Sequence, residues 1–175
     1  MSDEMQLIKV FYTCFQQRDW KGMVDCYDPD IFFYDPIFQD QEGPQVRAMW
    51  EMLLTNANDL LMTFSDVKLE PGPGEPNPNE PDSLKESYGS CNWVAAYTFS
   101  RTGRRIVNKG RTWFTFRGGK IVEHQDYYNL WKWCRQALGI PGILLGWTPF
   151  FQNKIRRMAK KNLEKFIARS SPGKT

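Results

Sequence analysis

The sequence predicts an α+β domain, with helices first, an antiparallel meander after them and an amphipathic tail at the end. Three observations carry this reading. Apolar residues recur at helical spacing as far as Leu54 and alternate from Leu61 onward. The pairs Thr102-Gly103 and Gly118-Gly119 divide the alternating region into strands joined by hairpin turns. Charge is also segregated. Residues 1–131 carry 13 Lys+Arg against 19 Asp+Glu, net −6, whereas residues 132–175 carry 10 against the single acid Glu164, net +9.

Leu7, Ile8, Phe11, Cys14 and Phe15 mark one face of a first helix, with Ser2 or Asp3 as its cap. Asp19 caps a short second helix that turns Trp20, Met23, Val24 and Tyr27 inward, and Asp28-Pro29 stops it. A strand from Ile31 to Tyr34 runs into an Asp-Pro turn. Gly43-Pro44 opens a third helix, with Val46, Met49, Trp50, Leu53 and Leu54 at its apolar positions. Strands follow over Leu61–Leu69, Tyr88–Ser100, Arg104–Phe116 and Lys120–Leu130. The stretch "EPGPGEPNPNEPD" at 70–82 reads as an exposed loop within one sheet, not as a linker between domains. The organisation is therefore one domain over 1–131 and an amphipathic helical extension over 132–175.

The 175 residues, 41% of them hydrophobic, suit one core, and an aromatic content of 15% is compatible with a lined cavity. Cys14, Cys26, Cys91 and Cys134 are scattered without a C-x-x-C, and there is one histidine. They read as reduced core residues of a cytoplasmic protein, with no zinc site or disulfide framework expected. "MSDEMQLIKV" has no basic region before an apolar core, so no signal peptide is expected. The apolar stretch Ile140 to Phe151 is too short and too broken by Gly and Pro to span a bilayer.

The stretch "FFYDPIF" at 32–38 sets one acid inside an apolar run. Asp35 is either a turn aspartate bonding its own backbone or a general base at the mouth of a hydrophobic pocket. A second acid stands on a strand, where residues two apart share a face, so His124, Asp126 and Tyr128 point the same way. A carboxylate facing such a pocket is desolvated, and its pKa rises toward the range where it both takes and gives a proton.

Three helices, "FYDPIFQDQEGPQVRAMWEML" and a hairpin sheet ending "FRGGKIVEHQDYYNLW" resemble the nuclear transport factor 2-like superfamily, and within it the SnoaL-like branch. That branch groups polyketide cyclases, ketosteroid isomerases and limonene epoxide hydrolase, and the resemblance covers roughly residues 5–130. It implies a cone, with a strongly curved antiparallel sheet wrapped around a helix to leave a pocket. Asp35 is similar to the isomerase's general base, and Asp126 to the acid of the cyclases and the epoxide hydrolase. The chain also departs from these patterns. The isomerase's oxyanion-hole donors would fall on Phe11 and Thr112, and one such donor is worth roughly 3 kcal/mol. The epoxide hydrolase's Arg-x-Asp pair would fall around Ala95, Tyr97 and Phe99, where neither member is present.

The expected site is therefore Asp126 and Asp35 as acid and base, with His124 and Tyr97 as donors. Phe11, Phe15, Trp50, Phe99, Thr112, Phe114, Phe116 and Tyr128 are its expected lining. It would isomerise, hydrate or cyclise a small apolar carbonyl- or epoxide-bearing molecule without a cofactor. The alternative is a non-catalytic pocket for an apolar ligand. Ile155, Met158, Leu163, Phe166 and Ile167 lie on one side of a tail helix from about Gln152 to Ala168, with cations on the rest. This helix packs on the body or a second protomer, or attaches through 140–169 to an anionic membrane surface. Nucleic acid is not expected, because the acidic body would repel phosphates. A homodimer is implied by the resemblance alone.

Overall fold

The structure is a computed structural model that describes residues 2–73, 81 and 85–170. Most of the proline-rich loop expected over 70–82 lies outside the described residues. Helix α1 (Asp3–Gln16) is capped by Ser2, whose hydroxyl accepts from the Met5 N–H at 3.3 Å. Helix α2 (Trp20–Asp25) is capped by Asp19, which accepts from the Gly22 N–H at 3.0 Å. Helix α3 (Pro44–Thr55) begins at Pro44, where the missing N–H costs no helical hydrogen bond.

One six-stranded sheet follows the order β2-β1-β6-β5-β4-β3. Its strands are β1 (Tyr27–Tyr34), β2 (Gln41–Glu42), β3 (Leu61–Glu70), β4 (Ser87–Phe99), β5 (Arg104–Arg117) and β6 (Lys120–Tyr128). β3 to β6 form the antiparallel meander read from the sequence. β1 instead pairs in parallel with β6, placing Phe33 beside His124 and Tyr34 beside Gln125. β1 also starts earlier than expected, because a register shift between Tyr27 and Phe32 accommodates Pro29. Further shifts, in β3 between Ser65 and Lys68 and at Val122 of β6 opposite Thr115 and Phe116, add to the sheet's curvature.

The hollow of the sheet holds α1 and α3. Its narrow end is packed with Ile8, Phe11, Phe114, Phe116 and Ile121, all buried. Past β6 the chain turns into helix α4 (Leu130–Leu138), capped by Asn129, then α5 (Ile140–Leu145) and α6 (Pro149–Ser170). β6 therefore ends two residues before the predicted strand does. Helix α6 crosses to α3, and its Leu163 joins the main core. A smaller cluster of Ile37, Ile106, Leu130, Trp133, Cys134, Ala137 and Ile155 ties α4 and α6 to the sheet. Cys26, Cys91 and Cys134 are buried free thiols, and burial pushes them up to about 11, 12 and 11. Among the described residues no helix is long and apolar enough to cross a membrane.

Candidate functional site

Because the sheet is a cone, its narrow end closes on aromatic rings while its wide end stays open. There a cavity of about 390 Å³ lies between the sheet, α3 and α6. Asp35 and Asp126 both line it. Its other polar groups include Tyr97, Tyr128, Trp93 and Asn108, while Phe15, Trp50 and Phe99 supply apolar wall. Helix α6 contributes Ile155, Met158, Ala159 and Asn162, the spacing of one helical face. It is held across the opening by Arg156, whose Nε donates to the Pro36 carbonyl at 3.1 Å.

Asp35 follows β1 at the start of the Asp-Pro turn. Its Oδ1 accepts from the Ile37 N–H at 2.9 Å and the Phe38 N–H at 2.5 Å, as a turn aspartate does. Its Oδ2 accepts from the Tyr128 hydroxyl at 3.1 Å. Burial outweighs these donors and raises the carboxyl from its ordinary 3.8 to about 6, with the Asp126 charge adding to the rise. Tyr128 is pushed well above its ordinary value, by burial first and then by the Asp35 charge, so it remains a proton donor. The turn and base readings of Asp35 are thus compatible, since one oxygen shapes the turn and the other meets a hydroxyl at the cavity.

Asp126 sits at the end of a buried polar chain. Trp50 Nε1 donates to the Tyr27 oxygen at 3.0 Å, which lies 2.8 Å from His124 Nδ1. In the Tyr27–His124 bond the donor is the hydroxyl or Nδ1 according to the imidazole tautomer. Nε2 lies 3.2 Å from Asp126 Oδ1 but is aimed off the line of a hydrogen bond, and it has no other partner. Oδ1 accepts from Thr112 Oγ1 and from Trp93 Nε1 at 3.1 Å. These contacts converge on Oδ1 and leave Oδ2 for the cavity. Trp93 reaches Asp126 because β5 carries Gly110 beneath its ring, where a Cβ would stand 2.4 Å from Trp93 Cζ2.

Tyr97 receives a hydrogen bond from Trp133 Nε1 at 2.9 Å, which leaves its own proton for a cavity partner. Burial raises its hydroxyl, the Trp133 bond opposes this, and the Asp35 charge adds to it. Among the described residues no group of three or more His, Cys, Asp or Glu could hold a metal ion.

The residues expected at the site divide by depth in the cone. Asp35, Asp126, Tyr97, Phe15, Trp50, Phe99 and Tyr128 line the cavity. His124, Phe11, Thr112, Phe114 and Phe116 do not; they lie behind it, at the narrow end. His124 is caged by Phe11, Phe33 and Phe114, with ring centroids 5.2, 5.0 and 4.8 Å away, so it reaches a ligand only through Asp126. Thr112 bonds the Tyr12 hydroxyl at 2.7 Å as well as Asp126. Sequence reasoning passed over Trp93, although it shares a strand phase with Ala95 and Tyr97, and over Tyr12, Asn108 and Trp133.

The SnoaL-like domain model matches residues 8–124, about two thirds of the chain. The chain belongs to the SnoaL-like family. Solved structures extend the likeness to most of the fold. A candidate polyketide cyclase from Pseudomonas putida is 18% identical, with a TM-score of 0.55 over 78% of this chain and 98% of that one. A protein of ketosteroid isomerase-like fold from Catenulispora acidiphila, in complex with trimethylamine, is 15% identical, with a TM-score of 0.59 over 82% and 97%. The protein TerC, co-crystallised with polyporic acid, is 14% identical, with a TM-score of 0.59 over 78% and 98%. At these identities the likeness is one of fold. No curated protein matches the chain. The matched residues span α1 to α3 and the sheet as far as His124, whereas α4, α5 and α6 follow them.

Proposed function

We propose that the cavity is the active site of a cofactor-free acid/base enzyme acting on a small apolar molecule with a carbonyl or epoxide oxygen. The observation that carries this is the pair of carboxylates on one apolar cavity, one of them raised to about 6. At neutral pH Asp35 is largely ionised and takes a proton from the bound molecule. Tyr97 donates to its oxygen as charge develops there. Asp126, oriented by Trp93 and Thr112, supplies the second acid/base group. The reaction class is proton transfer, leading to isomerisation, hydration or ring closure. The candidate cyclase among the structural neighbours supports such a reading, and Asp35 and Asp126 are the residues that would carry it.

A second reading is favoured by one observation. Helix α6 covers the cavity and is anchored by Arg156, an arrangement that suits holding an apolar ligand unchanged. A screen of apolar ketones, epoxides and polyketides, with bound ligand measured beside turnover, separates the two. Asp126→Asn is expected to lower turnover by about 10²-fold while ligand still binds. Turnover equal to the parent's would refute the catalytic role of Asp126, and a ligand recovered unaltered from the protein would favour the binding reading. For location we propose a peripheral place against a membrane surface.

A further inference from the structure

Helix α5 is packed inside out. It lays Gly142 against α4 and turns Ile140, Ile143, Leu144 and Leu145 to solvent. A Cβ on Gly142 would stand 2.0 Å from the Cys134 carbonyl oxygen, and one on Gly146 would stand 2.6 Å from Cys134 Cβ and 3.2 Å from Trp131 Cδ1. Only glycine permits this approach, and the large apolar side chains have no room beneath. As a result Ile140 is 72% exposed, Leu144 64%, Trp147 64% and Phe150 75%. Scattered surface apolar residues need no explanation, but so many within one turn-helix unit do.

Several polar groups of this unit are paired within it or with the start of α6. Trp147 Nε1 donates to the Leu144 carbonyl at 3.0 Å, and Thr148 donates to the Leu145 carbonyl through N at 2.8 Å and Oγ1 at 2.7 Å. Gln152 Nε2 covers the Gly146 carbonyl at 3.0 Å. Leaving water therefore breaks few hydrogen bonds here. The neighbouring helices expose Lys132, Arg135, Lys154 and Arg157, and no Asp or Glu stands between Asp126 and Glu164.

We infer that this face docks on an anionic lipid bilayer, with Trp147 and Phe150 entering the interface and the cations meeting headgroup phosphates. A second copy of the chain is the poorer occupant, because a two-fold contact would set the same cations against each other. Phe150 lies about 7.5 Å along α6 from Ile155, a lining residue of the cavity. The docked face thus includes the start of the helix that covers the cavity. The docking does not rest on the proposed chemistry of the cavity.

The test is sedimentation of the full chain with vesicles of equal phosphatidylcholine and phosphatidylserine. Most of the protein is expected in the pellet, and about tenfold less with phosphatidylcholine alone. Leu144→Glu, Trp147→Glu and Phe150→Glu together, all at exposed positions, are expected to cut the pelleted fraction about tenfold with an unchanged melting curve. A parent that stays in the supernatant overturns the proposal, as does a triple variant that pellets like the parent. So does a dimer, seen by light scattering, that the triple variant loses while neither protein pellets. Asp35→Asn should pellet like the parent, so a silent substrate screen with intact sedimentation counts against the enzyme reading alone.

Discussion

Asp35→Asn is expected to lower turnover by about 10²- to 10⁴-fold, the range for removing a positioned general base. The same change should make the protein harder to unfold at pH 8. A carboxyl at 3.8 in the unfolded chain and about 6 in the fold prefers its proton in the fold. Its contribution to stability is therefore fully present below pH 3.8 and is lost as pH rises through 6. The gap corresponds to roughly 3 kcal/mol, an upper bound on what the neutral amide recovers at pH 8. Urea unfolding at pH 8 and pH 4 checks this, with a gain at the first and almost none at the second. In the parent, kcat/KM should fall about tenfold per pH unit below about 6, as the base takes up its proton. A profile flat from pH 5 to 8 would remove Asp35 from the chemistry.

Phe11→Ala is expected to cost about 3–5 kcal/mol. Phe11 is fully buried and makes ring contacts with Tyr12, Tyr27, Trp50, Phe114 and His124 at 5.2–6.1 Å. Against a typical total of about 5–15 kcal/mol, this threatens the fold itself. Phe11→Leu refills most of the space and should cost less than half as much, with ligand affinity unchanged because Phe11 does not touch the cavity. Calorimetry and a ligand titration on the Leu variant test both halves. A large loss of affinity in a stable Leu variant would mean that Phe11 reaches the ligand after all.

These two residues also mark what could be read from the sequence. Strand alternation told which side chains of β4, β5 and β6 point inward, and Thr112, Phe114, His124 and Asp126 are indeed buried. A period of two separates inside from outside but carries no coordinate along the cone. Phe114 and Tyr97 therefore looked equivalent, although one packs the narrow end and the other faces the cavity. The meeting of Asp35 with Tyr128 was equally hidden, since it depends on the parallel pairing of β1 with β6 across the whole domain. Helix α4 had a signal, with Asn129 as cap and Leu130, Trp133, Cys134 and Ala137 at helical spacing. The alternation of β6 running up to Asn129 obscured it. For α6 the apolar face was legible but not the wall it completes.

The parallel register of β1 on β6 has a consequence for how the chain reaches this structure. Phe32 and Glu123, partners across that ladder, are about 90 residues apart in the chain. At about 5–20 residues per second of synthesis, β1 waits roughly 5–20 s for its neighbour to be made. During that interval Phe11, Phe33 and Trp50 lack the His124 ring of β6 that packs against all three. The nascent chain is then most exposed to misassociation just before its last strand emerges, and folding is limited by this one long-range closure more than by its helices.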